Sequence, residues 1–108
     1  MKYYQVIILP VAERDIGEAC EWLAGQDAES ATRWYNRLLD VIFSLDTFPE
    51  RCPLAPESES FNREIREIFH GRRQYKYRIL FTLSENRVYV LHVRHGARLV
   101  LGETASEE

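Results

Sequence analysis

The residues best equipped for chemistry in this chain are its arginines, and most of them fall in one stretch. Between Arg63 and Arg98 stand Arg63, Arg66, Arg72, Arg73, Lys76, Arg78, Arg87, Arg94 and Arg98, nine of the fourteen basic residues. Only Glu64, Glu67 and Glu85 oppose them there, so the stretch carries +6 while the rest of the chain carries −9. A mildly acidic protein thus contains a strongly basic segment, and such a segment implies a negatively charged partner. Arg66, Lys76, Arg78, Arg94 and Arg98 are the candidate partner-binding residues: Arg66, Arg78, Arg94 and Arg98 are spread over separate strands of one small sheet, and Lys76 shares a strand face with Arg78. Arg63, Arg72, Arg73 and Arg87 sit near turns and read as solvated charge. A plainer role for Arg78 is a cross-strand pair with Glu64 or Glu67.

The histidines add less. His95 is the candidate general base, since an unperturbed imidazole titrates near pH 6.5. His92 and His95 have opposite parity along a strand and cannot point into one site, and His70 falls in a turn. No metal site and no cofactor are expected.

The elements that must position these groups follow from periodicity. Tyr3 to Leu9 is a β-branched run suited to a strand covered on both faces, ended by Pro10. Ala12, Ile16, Ala19, Cys20 and Leu23 recur at helical spacing, with Gly25 as a natural C-terminal cap. The acidic outer face of this helix reads as solvated. Asp27 caps a second helix whose stripe is Ala31, Trp34, Tyr35, Leu38, Ile42 and Leu45, closed by Pro49. So short a connection predicts an antiparallel helical hairpin.

Residues 49 to 62, rich in Pro, Ser and Glu, read as a surface loop without chemistry. Arg63 to Phe69 is placed as a strand on its position before two clearer ones. Tyr75 to Leu83 alternates, with Tyr77, Ile79 and Phe81 on one face and Lys76, Arg78, Leu80 and Thr82 on the other. Ser84-Glu85-Asn86 turns the chain into Arg87 to His95, with Val88, Val90, His92 and Arg94 sharing a face. Leu99 to Leu101 offers a short edge strand. The expected fold is α+β, in the order β-α-α-β-β-β(-β), with the hairpin on one face of a mainly antiparallel sheet and the other face free to bind. A single domain over residues 1–102 is expected, followed by an acidic, disordered tail at 103–108.

Composition is that of an ordinary globular protein, 45% hydrophobic and 29% charged. No apolar run approaches the roughly 20 residues of a membrane helix, and the N-terminus lacks a signal peptide's layout, which points to the cytoplasm. Cys20 and Cys52 read as two structural thiols rather than a disulfide.

Taken together, these pieces resemble the RelE/ParE toxin superfamily of bacterial toxin–antitoxin modules, the plasmid stabilisation proteins. The resemblance is carried by four features in order. They are Val11-Ala12-Glu13-Arg14-Asp15-Ile16, the Trp34–Leu38 run of the second helix with Phe48-Pro49 after it, Arg63–Ile68 followed by Tyr77–Phe81, and Val93-Arg94-His95-Gly96-Ala97-Arg98. The ParE-like branch is the nearer.

The resemblance implies a toxin neutralised by a cognate antitoxin, in a toxin–antitoxin hetero-oligomer, that poisons DNA gyrase by binding. The RelE-like alternative is a ribosome-dependent mRNA endonuclease. Its site would comprise Arg78, which matches that branch's phosphate-stabilising arginine, with Arg98 and His95. Those nucleases carry a Tyr or His just beyond the late basic residue, where this chain has Leu99-Val100-Leu101-Gly102. A non-enzymatic toxin is therefore the expectation, and a non-toxic relic that still binds an antitoxin is the remaining alternative.

Overall fold

The computed structural model describes residues 2–72 and 76–96. In chain order the elements are β1 (Gln5–Ile8), α1 (Pro10–Gln26), α2 (Ala28–Phe43), α3 (Glu57–Ser60), β2 (Arg66–His70), β3 (Tyr77–Ser84) and β4 (Arg87–His95). Short 3-10 turns at Ser44–Asp46 and Pro49–Arg51 link α2 to the segment before α3. The strands form one sheet in the order β1-β4-β3-β2. β2, β3 and β4 pair antiparallel, and only the β1–β4 pair is parallel. The protein is thus α+β with a helical hairpin on a mostly antiparallel sheet.

Pro10 opens α1, where its missing N–H costs nothing. The helix does not stop at Gly25 as expected but runs to Gln26. Asp27 ends it by donating its backbone N–H to the Leu23 carbonyl at 2.9 Å, and also caps α2 by accepting from the Glu29 amide at 3.2 Å. One residue therefore serves both helix ends and forces the hairpin to turn back at once. Ala12, Ile16, Ala19 and Leu23 of α1 and Ala31, Trp34, Leu38 and Ile42 of α2 pack on Tyr77, Ile79, Val90 and Val93.

Three expectations are corrected. The first strand of the basic stretch begins at Arg66, not Arg63. Alternation also breaks within β4. Leu80 pairs with His92 and Phe81 with Val90, so Leu91 is an extra residue, a β-bulge. Beyond it the faces exchange. His92 and Arg94 leave the side of Val88 and Val90, and Val93 and His95 take their place, opposite Ile79 and Tyr77.

The third correction concerns the sheet face opposite the hairpin, which is not free. The segment read as a loop crosses it, with Ala55 and Ile65 buried against Leu80. It is hooked to the sheet at several points. The Glu67 amide donates to the Pro53 carbonyl (3.1 Å), Thr82 Oγ1 to the Glu64 carbonyl (2.8 Å), and Ser58 Oγ bridges the Ile65 amide and carbonyl (2.9 and 2.7 Å). Leu80 and the Arg78 stem explain why: bare, they would leave apolar surface in water. Tyr75, the edge strand at Leu99–Leu101 and the tail at 103–108 lie outside the described residues.

Candidate partner-binding surfaces

The five basic residues do not form one open surface. Arg78, 6% exposed, points from β3 into the layer beneath the covering segment. Its fork donates to both Glu57 oxygens (3.0 Å from Nη1, 2.7 Å from Nη2), while Nε reaches Glu67 Oε1 at 3.0 Å. Burial disfavours the Arg78 charge, but the hydrogen bonds and charges of Glu57 and Glu67 outweigh it, and the pKa lies above the ordinary arginine value. Glu67 is one of the two partners suggested by sequence. Glu57, entirely buried, is not.

Arg66 is also engaged, donating to the Cys52 carbonyl at 2.7 Å and pairing with Glu64 at 3.2 Å. Lys76 is exposed, with its ammonium 4.5 Å from the centre of the Phe69 ring. Arg94 lies directly across from Arg78 on the same face, with its Nε buried and without an acceptor among the described residues. Arg98 lies outside the described residues.

His95 pairs across the sheet with Tyr77 and stands edge-on to that ring at 5.2 Å, on the hairpin side. Arg78, one residue along β3, projects to the opposite side. The sheet therefore separates the two described members of the candidate nuclease trio, and they cannot contact one phosphate together. His92 Nδ1 lies 3.2 Å from Asp15 Oδ2, which also accepts the Val93 amide at 3.0 Å. His70 Nε2 is 3.1 Å from the Trp34 carbonyl. Burial holds the His70 pKa below its usual value, and the Arg37 charge adds to this against the pull of the Trp34 carbonyl. Among the described residues no three His, Cys, Asp or Glu gather to hold a metal ion. No described helix is long and apolar enough to cross a membrane.

One open apolar surface was not singled out by sequence. α1 and α2 diverge on their outer side to leave a groove of about 820 Å³, lined by Ile16, Gly17, Cys20, Tyr35, Leu39 and Phe43 among others. Tyr35, assigned by spacing to the core, is 38% exposed and faces this groove, and Phe43 is 48% exposed. The available signal was the second stripe on α2, Thr32-Tyr35-Leu39-Phe43, which repeats every three or four residues beside the buried one. Cys20 and Cys52 are free, and burial pushes both thiols up, so Cys20 contributes apolar lining rather than reactivity.

These features define a small α+β protein with an apolar groove between its helices and a braced sheet. The chain belongs to the family described as the ParE toxin of type II toxin–antitoxin systems, parDE, whose model matches residues 6–100. In fold it is similar to a chain of the chromosomal ParDE toxin–antitoxin system from P. aeruginosa. The TM-score is 0.69 at 12% identity, over 86% of this chain and 96% of that one. No curated protein matches it.

Proposed function

We propose that this ParE-family toxin acts by binding DNA gyrase and not by cleaving RNA, and that a cognate antitoxin silences it. One observation carries the choice: Arg78 is neutralised by two carboxylates on one side of the sheet while His95 lies on the other. Phosphoryl cleavage needs a free cation and a base around the same phosphate. A binding toxin needs neither.

The antitoxin's seat in this reading is the α1–α2 groove, whose volume and apolar lining suit an amphipathic helix laid between two others. Lys76 and Arg94, on the face of Arg78, are the cationic contacts for the target in this reading, with Arg78 bracing them from beneath; Arg98 is proposed as a further contact, while Arg66, across from Phe81, lies on the other face. The toxin then works in the cytoplasm and is stored in a toxin–antitoxin hetero-oligomer.

The test is induction of the chain without an antitoxin, scoring plasmid topology and mRNA in parallel. Linearised plasmid and lost gyrase supercoiling are expected, with mRNA intact. Cleavage of ribosome-bound mRNA with supercoiling untouched would reverse the assignment.

A further inference from the structure

A second recess, on the other side of α2 from the apolar groove, differs from it in carrying three arginines on its wall. It occupies about 400 Å³ between α2 and the end of β2, walled by Ser30, Arg33, Trp34, Arg37, His70 and Arg72. Positions 30, 33, 34 and 37 share a helix face, so two guanidiniums rise one turn apart from α2. Gly71, in the left-handed region at φ 96°, turns the chain beyond β2 and brings the third cation to the wall.

These arginines are not used as Arg66 and Arg78 are. Arg37 and Arg72 have no carboxylate partner among the described residues. Arg33 lies 3.9 Å from Glu29, whose side chain is 88% exposed, a spacing and exposure at which an ion pair contributes little. Trp34 supplies an independent observation. The residue is 92% buried, and its Nε1 is enclosed without an acceptor among the described residues. A buried donor in that condition favours whatever brings an oxygen to it.

We propose that this recess is a phosphate-binding site that seats one phosphate of a nucleic-acid backbone. Guanidinium forks match phosphate oxygens bidentately, and three of them around one recess balance a multiply charged group better than a lone carboxylate. The wall also argues against an acidic peptide. Its only large apolar side chain, Trp34, is buried, so a peptide would gain charge contacts and no apolar seat. That seat lies across α2, on Tyr35, Leu39 and Phe43. The two sites use different faces of one helix, so this inference stands whether or not gyrase is the target.

The test uses the whole chain and the double variant Arg37→Gln/Arg72→Gln, both substitutions at exposed positions. Titration with inorganic phosphate, at ionic strength matched with chloride, should shift the Trp34 indole N–H resonance in the parent and not in the variant. Duplex DNA should bind the parent with a steeper salt dependence, the log–log slope falling by about 1 in the variant as one phosphate contact is lost. An indole resonance that ignores phosphate overturns the proposal, as does an unchanged slope. Tighter binding of poly-glutamate than of duplex DNA, with the same indole shift, overturns it in favour of an acidic peptide.

Discussion

The Arg78 guanidinium donates to both carboxylate oxygens of Glu57, and neither side chain is open to solvent. The pair links the middle of the sheet to α3, a single helical turn too short to stand alone. Within this arrangement Arg78 is a fastener. Its positive charge, though part of the basic stretch, is spent inside the protein.

Glu57→Ala should therefore act on stability first. It leaves a buried guanidinium with Glu67 as its remaining partner, and breaking buried pairs costs about 3 kcal/mol or more. Urea denaturation should show a lower midpoint, and the amides of residues 55–65 should lose exchange protection. Arg78→Glu places a third carboxylate beside Glu57 and Glu67 and should prevent folding. A loss of partner binding by that variant says nothing about a surface unless circular dichroism shows the fold intact.

How much of this was legible in the sequence depends on which residues broke pattern. The hairpin was legible because Ala12, Ile16, Ala19 and Leu23, then Ala31, Trp34, Leu38 and Ile42, keep helical spacing without interruption. β3 was legible because Ile79 and Phe81 alternate with Arg78 and Leu80. Glu57 was not, since a glutamate in Pro-Glu-Ser-Glu-Ser has the composition of solvated loop. Its signal lay elsewhere, in an arginine flanked by Tyr77 and Ile79 on a wholly buried stretch of strand, which requires a buried carboxylate. The bulge at Leu91 was hidden too. Val90-Leu91-His92-Val93 contains no glycine, and strict alternation through it assigns His92 and Arg94 to the wrong side.

Asp15 should prove to be the tie between α1 and the far half of β4. It accepts the Val93 amide, which past the end of β1 has no strand beside it, and stands within reach of His92. Asp15→Ala orphans that amide and should cost about 1–3 kcal/mol. Asp15→Asn keeps an acceptor and should cost less. Equal losses from both would mean that charge, and not the hydrogen bond to Val93, makes the tie.

Acid should weaken the fold through His70. Its pKa is depressed in the folded state by burial and then by Arg37, so between the folded and unfolded pKa the unfolded chain binds more protons. The stability associated with neutral His70 is thus present above the unfolded value, about 6.5, and is lost as pH falls through the folded one. Arg33, Arg37 and Arg72 all face it and none favours its protonation. Arg37→Gln should raise the His70 pKa, read from its imidazole resonances against pH. An unchanged value would mean that burial alone sets it and the Arg37 charge has no influence.

Gly17 offers the cleanest separation of folding from docking. It sits within α1 on the wall of the apolar groove, and a Cβ built there meets nothing within 4 Å. Gly17→Ala removes backbone freedom from the unfolded chain without a clash and should stabilise by about 1 kcal/mol. Gly96 is the contrast, because its Cβ would stand 3.0 Å from the Lys76 carbonyl oxygen, to which its own amide donates at 2.8 Å. Gly17→Trp should keep the helix and place an indole across the groove between Tyr35 and Cys20. If an antitoxin helix binds there, this variant melts no lower than the parent yet no longer co-purifies with its antitoxin. A stoichiometric complex formed by the folded Gly17→Trp chain would move the antitoxin's seat elsewhere, with the cationic end of the sheet, Lys76 and Arg94, the next place to substitute.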